Sequence, residues 1–367
     1  MTDLTQLDTP CLVLDRGKVS ANAARLQSRL AKLGVPLRLH VKTAKSLEAV
    51  DLVLGGRKEP ITVSTLKEAE QFFAGAYRAI LYAVGFTPAK AARAQALQAR
   101  GCSLTVVTDS LETARAISGF RVLIEIDTDG HRAGLPPESD ALLPLARALR
   151  ESGNTVAGVM THAGGSYDAR GDAALRAIAE QERAGAVRAA ARLREAGFDA
   201  PVVSVGSTPT AHFAEKLDGV TEVRAGVFVF HDLVMAGLGV CKIEDIALSV
   251  LATVTGHRPD KGWTLIDAGW MALSRDRGTA RQPVDQGYGL VCDLDGRPIP
   301  DLIVTETSQE HGVIAHRSGD KAPSLPVGTR LRILPNHACA TGAQHDVYNV
   351  IESGGRVLTR WQRFGGW

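Results

Sequence analysis

The sequence predicts an α/β protein, a (β/α)8 TIM barrel followed by an all-β domain, and three observations lead to this fold class. Short β-rich runs alternate with amphipathic helical runs along most of the chain. The alternation gives eight strands within about 210 residues, the number and size expected of such a barrel. Beyond it, long helical runs disappear and β-branched segments such as IALSVLATVTG, WTLIDAG, HGVIAHR, TRLRILP and RVLTRWQ follow. We therefore expect the barrel over residues 16–240 and the β domain over residues 241–367.

The elements follow from these patterns in chain order. An extended segment, Cys11–Asp15, precedes the barrel strands, so we expect residues 1–15 to join the sheet of the β domain. A helical stretch then ends near Leu33. The barrel strands are predicted at Leu37–Lys42, Ile61–Ser64, Ala79–Tyr82, Leu104–Val107, Arg121–Ile126, Val156–Thr161, Val202–Val205 and Glu222–Ala225. A doubly wound sheet is the main alternative, but it would need fewer strands.

Composition and charge exclude several classes of protein. The 367 residues include 42 basic and 40 acidic ones, interspersed along the chain, which argues against nucleic acid or another polyanion as partner. No apolar run approaches the roughly 20 residues that span a bilayer, and the N-terminus lacks the layout of a signal peptide. The five cysteines are widely spaced and include no C-x-x-C pair, which argues against a disulfide framework. We expect a cytoplasmic protein with a small-molecule substrate.

Polar residues gather where the predicted barrel strands end, the place where such barrels carry their active sites. Lys42 ends the first strand and either points into the barrel mouth or is a surface lysine. Ser207 and Thr208 lie at the start of a helix, where N–H groups and hydroxyls form an anion site, or where they only cap the helix. Further candidates at strand ends are Arg132, His162, Tyr167, Arg224 and Gly226.

The β domain contains a pair of metal-ligating side chains. In an extended segment, His337 and Cys339 would lie on the same face of a strand, and imidazole and thiolate are both ligands of Zn²⁺. The alternative is a chance His-x-Cys pair. Three arginines, Arg275, Arg277 and Arg281, are candidates for binding a substrate carboxylate, or they form a solvated turn.

Taken in order, the motifs of the chain resemble one family along almost its full length. The motifs are HVKTAKS, ITVSTLKEAE, EIDTDGHRAG, THAGGSY, VSVGSTPT, TEVRAG, DAGWMALSRD, EHG and PNHACAT. They resemble the D-serine dehydratase and D-threonine aldolase group of fold-type III pyridoxal 5′-phosphate enzymes, which share the alanine racemase barrel. Within this group the segments SRDRGTARQ and ILPNHACATGAQ are most similar to the D-threo-3-hydroxyaspartate dehydratase branch.

The resemblance implies a role for each candidate residue. Lys42 would carry the pyridoxal 5′-phosphate, and His337 and Cys339 would bind Zn²⁺, with Mn²⁺, Co²⁺ or Mg²⁺ as alternatives. The remaining cofactor contacts would be Arg132 near the phenolic oxygen, Arg224 near the pyridine nitrogen, His162 and Tyr167 lining the ring, and Ser207, Thr208, Gly226 and Val227 around the phosphate. The resemblance also implies a homodimer.

The expected reaction is dehydration of a D-3-hydroxy amino acid, D-threo-3-hydroxyaspartate or D-serine, to a 2-oxo acid and ammonia. Aldolase relatives tend to carry His-x-Asp where this chain has His-x-Cys, and the thiolate variant resembles the dehydratases. The alternative is a metal-dependent aldolase that releases glycine or a related product and an aldehyde or oxo acid. A non-catalytic pyridoxal phosphate carrier is a third hypothesis, but it predicts a barrel without the β domain.

Overall fold

The computed structural model describes residues 3–319, 325–352 and 356–367. The chain forms two compact units. One contains Met1–Ala23, Thr43–Val53 and Val227–Gly365, and the other contains Ala24–Lys42, Leu54–Gly226 and Gly366–Trp367. The boundary between the barrel and the β domain at residues 240 and 241 stays a prediction. Within the described part of the chain, no helix is long and apolar enough to cross a membrane.

The barrel is a closed ring of eight parallel strands, as predicted. After β1 (Cys11–Asp15) and helix α1 (Arg16–Lys32), its strands are β2 (Leu37–His40), β3 (Ile61–Val63), β4 (Ala79–Gly85), β5 (Ser103–Thr108), β6 (Arg121–Ile126), β7 (Thr155–Thr161), β8 (Val202–Val205) and β9 (Glu222–Ala225). The ring closes where β2 pairs with β9, with Leu37 opposite Val223. This closure excludes the doubly wound alternative, because an open sheet leaves two edges unpaired.

Helices alternate with these strands because their sequences carry one apolar face. They are α2 (Leu47–Leu54), α3 (Leu66–Ala74), α4 (Ala91–Ala99), α5 (Leu111–Ala116), α6 (Leu142–Glu151), α7 (Asp172–Glu195), α8 (Thr208–Phe213) and α9 (Leu233–Gly237). In α6, Leu142, Leu145 and Leu149 are buried at helical spacing. The apolar side of α6 is thereby buried, and the strand ends remain the place for polar residues.

The β domain is a nine-stranded sheet that includes the N-terminal strand. Its further strands are β10 (Leu248–Arg258), β11 (Trp263–Ile266), β12 (Leu290–Cys292), β13 (Pro298–Thr307), β14 (Gly312–His316), β15 (Arg330–Leu334), β16 (Val347–Ile351) and β17 (Val357–Gln362). The sheet order is β11-β14-β13-β12-β15-β10-β1-β16-β17. As predicted, β1 joins this sheet, antiparallel to β10 and parallel to β16. Two short helices, α10 (Trp270–Leu273) and α11 (Ala338–Gly342), complete the domain.

Candidate active site

Lys42 lies just beyond the first barrel strand. The prediction that the strand extends to Lys42 is wrong by two residues, because β2 ends at His40 and Lys42 lies in the turn that follows. Its side chain is exposed, and its positive charge lowers the pKa of both His40 and His162. These histidines lie at the carboxyl ends of β2 and β7. The charge of Lys42 is therefore felt at the mouth of the barrel.

His162 is held as a neutral imidazole. Burial lowers its pKa to about 3, and the positive charges of Lys42, Arg132 and Arg224 act in the same direction. Its Nδ1 lies 3.1 Å from the carbonyl oxygen of Gly206. Because a carbonyl oxygen only accepts hydrogen bonds, Nδ1 carries the proton and donates it. The Nε2 of His162 therefore presents a lone pair.

His40 is the second neutral histidine of the barrel mouth. Burial lowers its pKa well below the usual value, and the charges of Lys42 and Arg224 lower it further. Its Nε2 lies 3.5 Å from the hydroxyl of Ser64, which follows β3. The lysine thus has two uncharged imidazoles as neighbours.

Arg224 extends from β9 into the barrel, where it is 4% exposed. One terminal nitrogen donates to the hydroxyl of Ser204 at 2.8 Å, and the other donates to the carbonyl oxygen of Thr161 at 2.6 Å. Burial lowers its pKa, while the charges of Glu222, Glu182 and Glu125 oppose that shift. The guanidinium is therefore a fixed positive charge inside the barrel.

Ser207 caps helix α8, so the helix-capping alternative describes its local geometry. The Ser207 hydroxyl accepts from the N–H of Thr210 at 3.2 Å, and the Ser207 N–H donates to the Thr210 hydroxyl at 3.0 Å. Gly206, just before it, has φ of +130°, and a Cβ there would overlap the carbonyl oxygen of Arg224. Ser207 and Thr208 are both buried at this end of the barrel. The turn at position 206 therefore requires glycine. The two hydrogen bonds with Thr210 fix Ser207, one of the residues predicted to bind the phosphate.

The other predicted cofactor residues have more varied surroundings. Tyr167 ends a 3-10 helix after β7, and its ring centroid lies 6.3 Å from that of His162. Arg132 is exposed in the loop after β6. Gly226 follows β9, and the buried Val227 begins a 3-10 helix in the other compact unit.

The barrel mouth fits an anionic cofactor that binds a lysine. Lys42, Arg132 and Arg224 carry positive charge there, whereas His40 and His162 are kept neutral. An excess of fixed positive charge favours a phosphate ester. The charges of the barrel mouth therefore fit the cofactor that the family resemblance implies.

His337 and Cys339 are not on one strand, and this part of the prediction is wrong. His337 is extended, with φ of −136° and ψ of 107°, but it caps α11, and Cys339 is the second residue of that helix. The two side chains are nevertheless hydrogen-bonded to each other. The first turn of α11 brings the imidazole and the thiol together. In a strand, the alternation of side chains between its two faces would have had the same effect.

A set of polar groups surrounds this pair within its own unit. Nδ1 of His337 lies 2.9 Å from Oδ2 of Asp276, and the hydroxyl of Thr43 lies 3.1 Å from the sulfur of Cys339. Burial alone would lower the pKa of His337, but its hydrogen bonds to Asp276 and Cys339, together with the charges of Cys339 and Asp232, raise it to about 11. Metal binding at His337 would therefore displace a proton.

The pair suits a zinc-type ion by its chemistry. Imidazole nitrogen and thiolate sulfur are zinc ligands, and a carboxylate on the other ring nitrogen is the usual support of such a histidine. The described residues contain no group of three or more His, Cys, Asp or Glu arranged to hold a metal. His337 and Cys339 would thus supply two ligands only.

The three arginines after α10 have partners within their own unit. Arg275 stacks on the ring of Trp270 at 4.1 Å, and Arg277 pairs with Asp285 at 2.7 Å. Arg281 ends a 3-10 helix. The segment is therefore more ordered than a freely solvated turn.

Two residues of these sites, Asp276 and Glu182, escaped the sequence prediction. Asp276 lies within SRDRG, where only the arginines were considered. Glu182 had a signal, because an acidic residue stands at a core-facing position of α7 between Ala179 and Ala186. His40 is apparent from the sequence as a polar residue at the end of the first strand, but no role was predicted for it.

Comparisons with known proteins cover both parts of the chain. The family model "Alanine racemase, N-terminal domain" matches residues 14–233, and the model "Putative serine dehydratase domain" matches residues 247–351. The chain is 54% identical over 377 residues to D-threo-3-hydroxyaspartate dehydratase of Delftia sp. (strain HT23), which covers 99% of each sequence. It is 29% identical over 397 residues to D-serine dehydratase of Dictyostelium discoideum, which covers 100% of this chain and 98% of that protein.

Solved structures show the same similarity in three dimensions. The structure of the Delftia enzyme superposes with a TM-score of 0.97 at 52% identity and covers 100% of both chains. A variant of D-threo-3-hydroxyaspartate dehydratase with a cysteine replaced by alanine, described as a metal-free form, gives the same values. The similarity thus extends over the whole chain.

Proposed function

Because the chain belongs to the family of alanine racemase-like dehydratases that includes D-threo-3-hydroxyaspartate dehydratase and D-serine dehydratase, we propose that it is a lyase that dehydrates D-3-hydroxy amino acids. The products are a 2-oxo acid and ammonia. The carbon–oxygen bond at Cβ breaks, water leaves, and hydrolysis of the resulting unsaturated amine releases ammonia. D-threo-3-hydroxyaspartate would give oxaloacetate, and D-serine would give pyruvate.

The observation that carries this proposal is the hydrogen-bonded pair of His337 and Cys339, supported by Asp276. The family resemblance associates His-x-Cys with dehydratases and His-x-Asp with aldolases. The 54% identity to a dehydratase over the full chain points in the same direction. Together they favour cleavage at the Cβ–oxygen bond over cleavage at the Cα–Cβ bond.

The barrel residues are assigned to pyridoxal 5′-phosphate. When bound, this cofactor supplies an electron sink for the negative charge that develops at the substrate's Cα. Lys42 would hold it covalently, and Ser207 and Thr208 would bind its phosphate together with the backbone of Gly226 and Val227. Arg132 and Arg224 would orient its ring, which His162 and Tyr167 would line.

Lys42 is also assigned to proton transfer. An amine within reach of the substrate's Cα takes the α-proton once it is no longer bound to the cofactor. Neutral His40 and His162 add no positive charge beside it. Arg132 and Arg224 are thus the permanent cations of the barrel mouth, and Lys42 is the group assigned as the base for the α-proton.

The histidine and cysteine of the β domain are assigned to Zn²⁺. A metal ion, when bound, supplies a Lewis acid for the β-hydroxyl, which is otherwise a poor leaving group. Asp276 holds Nδ1 of His337, so Nε2 would be the nitrogen that binds the metal. The hydroxyl that contacts the sulfur of Cys339 is that of Thr43, the residue that follows Lys42 in the chain.

Product analysis tests this function. The purified protein, assayed with D-threo-3-hydroxyaspartate, D-serine and D-threonine, should release ammonia and 2-oxo acid. A chelator should abolish the reaction, and Zn²⁺, Mn²⁺, Co²⁺ and Mg²⁺ added singly should identify the metal that restores it. Glycine with an aldehyde or oxo acid, and no ammonia, would establish the aldolase reaction instead.

Two parallel measurements complete the test. Reduction with borohydride followed by peptide mapping should place the cofactor on Lys42. Light scattering of the purified protein should give the mass of a homodimer. A protein that binds pyridoxal 5′-phosphate but turns over none of the three amino acids would point to the carrier hypothesis.

A further inference from the structure

Glu182 is a buried acidic residue in the middle of helix α7. Its side chain is 2% exposed, on the face that α7 turns to the barrel with Leu175, Ala179 and Ala186. Burying a carboxyl group costs free energy unless hydrogen bonds replace its contacts with water. The position therefore serves something other than apolar packing.

The partners of this carboxyl belong to two different loops. Its Oε1 accepts the N–H of Ala163 at 3.0 Å and the N–H of Gly206 at 3.0 Å. Ala163 lies in the loop after β7, and Gly206 lies in the loop after β8. The hydroxyl of Thr210, in α8, hydrogen-bonds the same carboxyl. One side chain thus joins the backbones that follow two neighbouring strands.

Two further hydrogen bonds join the same loops. Nδ1 of His162 donates to the carbonyl oxygen of Gly206 at 3.1 Å, and the hydroxyls of Ser166 and Ser207 lie 2.9 Å apart. His162 directly precedes Ala163, and Ser207 directly follows Gly206. The two residues whose N–H groups bind Glu182 are therefore the chain neighbours of two residues assigned to the cofactor.

We infer that Glu182 is a positioning residue for the phosphate of pyridoxal 5′-phosphate, an inference that rests on the proposed function. Its carboxyl group would act through its hydrogen bonds to Ala163, Gly206 and Thr210 and not by contact with the cofactor. By fixing the N–H groups of Ala163 and Gly206 it sets the distance between the two loops, and so the place of Ser207 and Thr208 around the phosphate. Removal of the acceptor leaves two buried N–H groups without a partner, which drives the loops apart or lets water in.

The role depends on the acceptor oxygen and not on side-chain volume. Glu182→Gln keeps a carbonyl oxygen for both N–H groups and an amide for Thr210. Glu182→Met has a similar length and fills the same space, but accepts no comparable hydrogen bond. Glu195→Met, at an exposed position of the same helix, is the matched control.

The experiment compares pyridoxal 5′-phosphate with pyridoxal, which lacks the phosphate. Dissociation constants of both are measured by absorbance on cofactor-free protein, for the wild type and each variant, after circular dichroism has shown that the variant is folded. We expect Glu182→Met to weaken pyridoxal 5′-phosphate by about tenfold or more and pyridoxal by less than about threefold. Glu182→Gln and Glu195→Met should stay within about threefold of the wild type for both.

The outcomes separate this inference from the proposed function. A wild type that does not prefer pyridoxal 5′-phosphate over pyridoxal overturns both. A wild type with that preference and a folded Glu182→Met variant that keeps it, or that loses both ligands equally, overturns the positioning role alone. Where Glu182→Met does not fold, Glu182→Asp decides by the same ratio. Its carboxylate is one methylene shorter, so the preference should fall, and an unchanged preference overturns the inference.

Discussion

Nδ1 of His337 lies 2.9 Å from Oδ2 of Asp276, which stands between Arg275 and Arg277 in the sequence. The hydrogen bond lowers the pKa of Asp276, so the group is a carboxylate. A histidine whose Nδ1 is held in this way presents Nε2, with its orientation fixed, to a metal. Asp276 therefore gives His337 the hydrogen-bonded carboxylate that a metal-binding histidine usually has.

Replacing this carboxylate should weaken the metal site. Asp276→Asn keeps the size of the side chain but removes its charge, and losses of about 10- to 100-fold in metal affinity are typical of such changes. We expect activity to fall and to recover at raised Zn²⁺ concentration. Titration of the metal-free protein with Zn²⁺ measures the affinity. Asp260→Asn, at an exposed position, is the control, and equal affinities of the two variants would contradict the role of Asp276.

The fold could be predicted because its signals are local and repeated. Eight strands recur with helices between them, and an error of two residues at the end of β2 changes nothing in the count. In the β domain, β12, β13 and β16 were not among the predicted segments. β13 begins PIPD, a sequence typical of turns, and Asp301 within it has φ of +54°.

The sites were predicted less completely, because their contacts join distant positions. Asp276 precedes His337 by 61 residues. No spacing rule relates these two residues. The conformation of the metal pair failed for another reason, since α11 has five residues and is too short to show helical periodicity. Glu182 was also missed, although an acidic residue on an apolar helix face is visible in the sequence.

The identity of the second metal ligand should influence which bond breaks. Cys339→Asp creates the His-x-Asp pattern that the resemblance associates with aldolases. We expect less ammonia and 2-oxo acid and a larger fraction of glycine-type product from D-threonine or D-threo-3-hydroxyaspartate. Chromatography of the products measures the ratio. Cys339→Ala is the control that removes the ligand without replacing it, and it should lose both activities while the cofactor absorbance remains.

Lys42 should be required for both binding and proton transfer. Lys42→Ala is expected to lower the turnover rate by about 10²- to 10⁴-fold, the usual contribution of a positioned base, and to abolish labelling by borohydride. Lys32→Ala, at an exposed position of α1, should keep both. Added methylamine should restore part of the turnover of Lys42→Ala, since it supplies the missing amine. A variant at position 42 with full activity would disprove the assignment.

The neutral state of His162 should make the cofactor-free protein less stable in acid. Its pKa is about 3 in the folded protein, against about 6.5 in an unfolded chain. Between these values the unfolded chain binds a proton that the folded protein does not, so the free energy of unfolding falls as the pH is lowered from about 6.5 towards 3, by up to about 1.4 kcal/mol per pH unit.

The effect of this single histidine can be isolated by replacement. His162→Gln keeps a donor for the carbonyl oxygen of Gly206 but cannot titrate, so its free energy of unfolding should depend less steeply on pH than that of the wild type. Urea unfolding at pH 7, 6, 5 and 4 measures the slope. His311→Gln, at an exposed position, controls for the replacement itself.

His40 contributes in the same direction, because its pKa is also lowered. The double variant His40→Gln/His162→Gln should therefore flatten the pH dependence of the free energy of unfolding further. Equal slopes for the wild type and His162→Gln would mean that His162 is protonated alike in the folded and unfolded chain, contrary to its burial beside Lys42, Arg132 and Arg224.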